Sequence, residues 1–136
     1  MKQLFILLIV IVFLSGCTKK STDSNPYSNS LQLGTGISTS NYSDLTGVGT
    51  TFPAGSTIYF RLESANDQGS SSIMIKINKQ DGTLYNSYTY PSLQGYGHIY
   101  LSYFTIPDAG NYTATGIMVT GNQTIATISF TIVPTK

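Results

Sequence analysis

Few residues of this chain have the types and spacing that catalysis or metal binding requires. The sequence contains one histidine, His98, which excludes a site with several histidine ligands. Its single glutamate, Glu63, is followed by Asp67 in a polar loop, and two carboxylates could serve glycoside hydrolysis or hold calcium. The loop lacks the regular acidic spacing of a calcium-binding loop. We therefore predict no enzyme, no metal, no cofactor and a solvated His98; a hydrolase is the alternative that the carboxylates leave open.

The only cysteine, Cys17, follows a short apolar segment near the start of the chain. Lys2 supplies a positive charge, and residues 4–14 have the length of the apolar part of a secretory signal, which is shorter than a membrane span. The segment closes on Leu14-Ser15-Gly16-Cys17, which resembles the lipobox of bacterial lipoproteins. This resemblance implies cleavage before Cys17, a diacylglyceryl group on its thiol and, in many bacteria, a further acyl chain such as palmitate on its new amine.

The same resemblance implies an extracytoplasmic protein that is anchored to a bacterial membrane by lipid on Cys17. Thr18 rather than aspartate follows the cysteine, so the inner-membrane retention signal of some Gram-negative bacteria is absent and the outer membrane is favoured. An acylated cysteine cannot form an internal disulfide. The folded part must therefore be stable through its core alone.

Composition divides the remainder of the chain into a tether and one domain. Residues 18–30 contain no aliphatic side chain and are predicted to be a disordered tether. We thus assign a signal peptide to residues 1–16, the lipidated cysteine and tether to 17–30, and a single domain to 31–136. Residues 17–136 carry equal numbers of acidic and basic side chains. No nucleic-acid partner is expected, because the domain has no excess of positive charge.

Ten tyrosines, many Ser and Thr residues and 13 glycines without a repeat indicate an all-β domain. Apolar and polar residues alternate over residues 56–63 and 73–79, which is typical of antiparallel strands with one buried face. With the later segments included, the predicted core comprises Ile58, Phe60, Leu62, Ile73, Ile75, Ile77, Ile99, Leu101, Tyr112, Ile128 and Phe130.

Two turns set the expected strand pairing. Asp81-Gly82 predicts a two-residue type I′ turn, which pairs Ile73, Ile75 and Ile77 with Tyr90, Tyr88 and Asn86 and leaves Tyr85 facing outward. Gly121-Asn122 could form a similar turn. A three-residue loop over residues 120–122 instead pairs Tyr112 with Phe130 and Ala114 with Ile128. We prefer this second register, with a bulge, because it collects the apolar residues on one face.

The segment Asp108-Ala109-Gly110-Asn111-Tyr112-Thr113-Ala114 resembles the D-x-G-x-Y-x-C segment of immunoglobulin domains. In that family the tyrosine buries its ring and its hydroxyl bonds to backbone a few residues upstream, a tyrosine corner. The resemblance implies this role for Tyr112 and an immunoglobulin-like Greek-key β-sandwich of about seven antiparallel strands. Ala114 stands where the family has cysteine, and the chain has no Trp, so the disulfide core of the family is absent.

Exposed tyrosines are the remaining candidates for binding. If Ile99 and Leu101 face inward, Tyr100 faces outward, Tyr96 lies in a glycine-flanked loop and Tyr85 belongs to the neighbouring hairpin. Such rings could stack on a sugar or contact a protein, although ordinary pairing on a sheet surface would use the same residues. We therefore predict a membrane-anchored binding or scaffolding module of the cell envelope and leave its ligand open, with an envelope protein as one candidate partner. A glycan bound on Tyr85, Tyr96 and Tyr100 is the alternative.

Overall fold

The computed structural model describes residues 24–93 and 97–135. Ten strands form within these ranges, seven of them five residues or longer, and no α-helix is found in this part of the chain. The strands are β1 (Ser30–Gly34), β2 (Gly36–Ile37), β3 (Leu45–Thr46), β4 (Thr51–Pro53), β5 (Thr57–Glu63), β6 (Ile73–Lys79), β7 (Leu84–Tyr90), β8 (Ile99–Thr105), β9 (Gly110–Met118) and β10 (Gln123–Val133).

Two sheets carry the fold. One has the order β1-β5-β8 and the other has the order β4-β10-β9-β6-β7, while β2 and β3 form a small separate ribbon. All neighbours are antiparallel except β4, which runs parallel to β10. With β1, β5, β6, β7, β8, β9 and β10 as strands A, B, C, C′, E, F and G, this is the sheet pairing of immunoglobulin domains without strand D. The predicted all-β immunoglobulin-like sandwich is confirmed.

The core lies between the two sheets and forms because the strands alternate as predicted. The side chains of Ile58, Phe60, Leu62, Ile73, Ile75 and Ile77 are completely buried, and Tyr112 and Phe130 are nearly so. The Tyr112 hydroxyl donates a hydrogen bond of 3.0 Å to the Asp108 carbonyl, which confirms the tyrosine corner. Ala114 is completely buried as well. A core of aromatic and branched side chains thus occupies the place of a disulfide.

Strand β8 has the opposite phase to the one we predicted. Tyr100 and Phe104 are buried, whereas Ile99 and Leu101 are only half-buried and lie on the outer face. Ser102 occupies the inward position between Tyr100 and Phe104, and it pairs with Phe60 on β5. A small residue there leaves room for the Phe60 ring, whose centroid lies 6.4 Å from those of both Tyr100 and Phe104. Ile128 on β10 is likewise half-buried against the core rather than within it.

The β6–β7 hairpin keeps the predicted register through an unpredicted turn. Ile73, Ile75 and Ile77 pair with Tyr90, Tyr88 and Asn86, as expected. The predicted type I′ turn is wrong, because Lys79 N donates to Thr83 O across a three-residue loop in which only Gly82 has positive φ. A bulge after Ile77 compensates for the extra loop residue.

The bulge also changes the direction of one candidate side chain. Tyr85 falls in it, so its ring turns inward and meets the Tyr112 ring edge-on at 5.1 Å. The outward orientation that we predicted for Tyr85 is therefore wrong.

The β9–β10 hairpin confirms the preferred register, with Tyr112 opposite Phe130 and Ala114 opposite Ile128. A single 3₁₀ turn spans Thr120–Asn122, and a bulge lies between Thr124 and Ala126. The bulge fits Ile125 into the core without shifting the rest of the strand.

The end of the predicted tether contacts the domain. Asn25 Nδ2 donates to Ala65 O at 2.6 Å, and Asn29 Oδ1 accepts a hydrogen bond from Ala65 N. Ser28 N donates to Glu63 Oε1 at 2.8 Å. The disorder that we predicted as far as Ser30 is therefore wrong for residues 25–30. Hydrogen bonds and the stack of Tyr27 on His98 hold residues 25–29 in place, and Ser30 begins β1. Residues 18–23 lie outside the described residues.

Candidate binding surface

The two carboxylates that could have served catalysis have structural partners. Glu63 Oε2 lies 2.6 Å from Arg61 Nη1, and Glu63 Oε1 accepts the Ser28 backbone bond. The bond from Ser28, followed by those from Arg61, holds the pKa of Glu63 below its usual value. Asp67 Oδ1 accepts a hydrogen bond from Gly69 N within its own loop. Across the part of the chain that the structure describes, no group of three His, Cys, Asp or Glu residues could hold a metal ion.

His98 is part of the packing at the end of the sandwich, not a solvated residue as predicted. Its ring stacks on Tyr27, with centroids 4.1 Å apart and planes 6° from parallel. Its Nδ1 lies 2.9 Å from the Ser64 carbonyl. His98 therefore helps to hold the N-terminal segment against the domain.

The tyrosines that we predicted as an exposed set are not presented together. Tyr100 is only 3% exposed, so its predicted outward orientation is wrong, and its hydroxyl donates to Pro91 O at 2.6 Å. An amphipathic ring can occupy the core where its hydroxyl reaches a backbone carbonyl. Tyr96 lies outside the described residues, as does the predicted lipidation site, Cys17.

Tyr85 is half-buried and hydrogen-bonded at the opposite end of the sandwich. Its hydroxyl donates to Asp108 Oδ2 at 2.6 Å, and this bond is the main reason that the pKa of Tyr85 is raised to about 12. Lys79 Nζ lies 5.9 Å from the ring centroid. The residue thus connects the β6–β7 hairpin to the tyrosine corner at Tyr112.

The two long sides of the sandwich differ. On one side the chain leaves β1 at Gly34, crosses through the β2–β3 ribbon and joins the other sheet as β4, so that the chain itself closes that side. On the other side β8 ends one sheet and β7 ends the other, and neither has a strand beyond it among the described residues. Strand D would cover this side in an immunoglobulin domain.

A groove of about 500 Å³ follows this open side. We call it the open-side groove; it is lined by Ser87, Tyr88, Thr89, Tyr90, Tyr103, Phe104 and Thr105. Side-chain hydroxyls rather than backbone bonds connect its two walls. Tyr88 donates to Thr105 O at 2.8 Å, and Tyr90 donates to Tyr103 O at 2.6 Å. Two carbonyls of the β8 edge are thereby satisfied without a neighbouring strand.

The groove has an apolar floor and a polar rim. Burial is the main cause that raises the pKa of Tyr90, whose ring packs on Phe60 with centroids 5.1 Å apart. Tyr103 stands on the rim, where it is 58% exposed and meets the Tyr59 ring at 5.7 Å. An exposed aromatic ring beside a groove is the kind of feature that protein interfaces use.

The outward-facing backbone of β7 borders the groove at Ser87 and Thr89. Neither β7 nor β8 contains a charged residue or a proline, the features that normally prevent pairing at a sheet edge. The Ser87 N–H is bonded locally to Asn86 Oδ1 at 2.8 Å, so it points away from β6. Because the N–H and C=O groups of successive residues in a strand point to alternate sides, the backbone N–H and C=O of Thr89, two residues on, also point away from β6. By contrast, Pro53 protects β4, the other edge of this sheet.

Solved structures similar to this chain include an immunoglobulin-like protein from Pseudomonas aeruginosa, with 13% identity, a TM-score of 0.49 and coverage of 79% of this chain and 94% of that chain. The PmoD soluble domain from Methylocystis sp. has 8% identity, a TM-score of 0.43 and coverage of 76% and 89%. No family model and no curated protein matches the sequence. Among the residues that the structure describes, none forms a helix long and apolar enough to span a membrane.

Proposed function

We propose that the chain is a lipid-anchored extracytoplasmic module that binds an extended segment of a partner protein in the open-side groove. The observation that carries the proposal is that both sheets end at this side and that no strand of the described residues covers it. The proposal assigns the chain no catalytic activity, because Glu63, Asp67 and His98 each hold structural contacts in place. A glycan bound on Tyr85, Tyr96 and Tyr100 has less support, since Tyr100 is buried and Tyr85 is bonded to Asp108.

An extended segment would bind this groove as an added strand. Main-chain hydrogen bonds to Thr89 would provide affinity, and side chains on alternate positions of the segment would lie against Tyr103 and the apolar floor, which provides specificity. The rim carries no charge. We therefore expect recognition of an uncharged segment with apolar or aromatic residues at alternate positions.

The anchor is supported by the sequence alone. The apolar segment and Leu14-Ser15-Gly16-Cys17 favour lipidation, and Thr18 favours the outer membrane. Intact-mass and peptide mass spectrometry of the protein from membranes should find a mature chain that begins at an acylated Cys17. The variant Cys17→Ser should remain unprocessed and unacylated. Processing and acylation of that variant would refute the assignment.

Site-specific crosslinking tests the groove. A photoreactive residue at Thr89 or Tyr103, introduced into the protein in its own bacterium, should capture a partner segment. The matched control is the same residue at Thr127, which lies on the outer face of the wider sheet beside Thr115. Thr89→Pro should abolish the Tyr103 crosslink while leaving the fold intact, because an edge strand tolerates proline where its N–H points outward. Equal crosslinking from Thr127, or no effect of Thr89→Pro, would contradict the proposal.

A further inference from the structure

The described chain begins at one end of the sandwich. The starts of β1, β6, β8 and β10 and the ends of β5, β7 and β9 meet there, as the strand registers show. We call this surface the N-terminal end face; it consists of residues 24–29, 64–72, 91–93, 97–98 and 119–122. The β6–β7 turn, the β8–β9 loop and the end of β10 lie at the opposite end. Seven-residue strands separate the two ends by roughly 23 Å.

The segment before β1 is fixed on the N-terminal end face. Asn25, Ser28 and Asn29 bond to Ala65 and Glu63. Tyr27 adds the stacked contact with His98. Among the described residues, the first hydrogen bond of this segment to the domain is that of Asn25, beside the β5–β6 loop.

Because Asn25 is fixed on the N-terminal end face, only a short stretch of chain connects this face to Cys17. The inference rests on the proposed lipidation of Cys17. Eight residue steps separate Cys17 from Asn25, and a fully extended chain of that length spans at most ~28 Å. As a flexible coil its root-mean-square span would be about 16 Å. A lipid on Cys17 would hold the N-terminal end face close to the bilayer, with the opposite end farther away.

The chemistry of the N-terminal end face suits the bilayer interface. Tyr27, Leu93 and Val119 are exposed apolar side chains, each 37% to 40% accessible. Asp67 is the only formally charged residue among the described residues of this face. At the opposite end, the last residue of β6 and the loops carry Lys79, Asp81 and Asp108. Tyrosine and aliphatic side chains are favoured at the boundary between headgroups and acyl chains.

We propose that the N-terminal end face lies on the membrane that carries the anchor, with Leu93 and Val119 in contact with the lipid. Neither side chain would bind a bilayer alone. The lipid on Cys17 supplies a high effective concentration, so weak contacts suffice to orient the domain. The open-side groove then extends away from the bilayer, between the N-terminal end face and the distal end.

Spin labels on introduced cysteines test this orientation. Because Cys17 is the only native cysteine and its thiol would be acylated, a single added cysteine can be labelled without interference. Leu93→Cys and Val119→Cys report on the N-terminal end face, and the matched controls Leu84→Cys and Val133→Cys report on exposed positions at the opposite end. The full lipidated chain is reconstituted in phosphatidylethanolamine and phosphatidylglycerol vesicles, and collisions with oxygen and with a water-soluble nickel complex are measured.

Labels at 93 and 119 should lose accessibility to nickel and gain accessibility to oxygen when vesicles are added, while labels at 84 and 133 should not change. If a chain shown by mass spectrometry to be acylated leaves all four labels equally accessible to nickel, the orientation is wrong and the lipid anchor stands. If Cys17 carries no lipid, both the anchor and the orientation fail. Protection of all four labels would indicate aggregation or burial of the whole domain and would also contradict the orientation.

Discussion

Gly116 on β9 faces Leu62 on β5, and the contact between them joins the two sheets. A Cβ atom added at Gly116 would overlap Leu62 Cδ1 and lie 3.1 Å from Cδ2 and 3.3 Å from Cγ. Leu62 is completely buried, so it has little space in which to move. In the immunoglobulin family the same two strands are joined by a disulfide, whose position on β9 is Ala114 here. We therefore expect this close approach to be a main determinant of stability.

The sign of the effect of Gly116→Ala should depend on Leu62. In the native background, overpacking should lower the free energy of unfolding by about 1 to 3 kcal/mol. Leu62→Ala alone should lower it by about 2 to 5 kcal/mol through the lost contacts and the cavity. In the Leu62→Ala background the overlap is gone, and Gly116 has no left-handed φ that alanine would strain. There, Gly116→Ala should raise the free energy of unfolding by about 0.4 to 1 kcal/mol.

Urea unfolding of a fragment that begins at Ser24 measures all four proteins of this double-mutant cycle. Tyrosine fluorescence and far-ultraviolet circular dichroism are suitable signals, because the chain has ten tyrosines and no tryptophan. Sucrose can be added equally to all samples if Leu62→Ala is too unstable. An unchanged effect of Gly116→Ala in the two backgrounds would show that the residues are not in contact, and the packing described here would be wrong.

Three further effects can be measured on the same fragment. Tyr112→Phe removes the hydrogen bond to Asp108 O and should lower the free energy of unfolding by about 0.5 to 1.5 kcal/mol in urea titrations, whereas no loss would deny the tyrosine corner its role. The Tyr85 pKa is raised from 10 to about 12, so the protonated Tyr85 hydroxyl stabilises the fold fully below pH 10, and this stabilisation is lost as pH rises towards 12. Ultraviolet titration of Asp108→Asn should show a lower tyrosine pKa. The Glu63 pKa is lowered, so the ionised Glu63 carboxylate stabilises the fold above about pH 4.5, and this stabilisation is lost as pH falls through the pKa of Glu63 in the folded protein. Glu63→Gln should speed hydrogen exchange at Ser28 N at neutral pH.

The strands that the sequence predicted best are those with strict alternation. In β5 and β6 every second residue is a large aliphatic or aromatic side chain, and only one phase buries them all. The register of the β6–β7 hairpin was correct although its turn was not, because burial of Ile73, Ile75 and Ile77 determines which residues face each other. The bulge at Tyr85 follows from that same requirement, since it absorbs the residue that the loop gained.

Strand β8 shows where alternation is ambiguous. Its sequence IYLSYFT has apolar or aromatic residues in both phases, and hydrophobicity alone predicts that Ile99 and Leu101 face the core. Two facts about three-dimensional neighbours decide otherwise. The Tyr100 hydroxyl finds the Pro91 carbonyl, and Ser102 leaves space opposite Phe60. Neither fact can be obtained from the order of residues along one strand.

The contacts of the N-terminal segment were missed for a related reason. Residues 24–29 contain no aliphatic side chain, so composition alone indicates disorder. What holds them is a set of hydrogen bonds to Ala65 and Glu63 and one aromatic stack on His98, and these partners lie far along the chain. A polar segment can be ordered when its partners are presented by rigid strand ends.

The open-side groove exists because no strand in residues 24–93 or 97–135 covers this side, and the sequence carries no local sign of it. Between β7 and β8 the sequence shows a proline, two glycines and one tyrosine, which fit a long loop as well as a short connection. Only the sheet order reveals that both edges end on the same side. The hydroxyls of Tyr88 and Tyr90 then explain how the domain tolerates this: they satisfy two carbonyls of the β8 edge and leave the outward backbone groups of Thr89 on β7 open. An edge that is half protected in this way is stable without a partner and still able to bind one, which a fully charged or proline-blocked edge could not do.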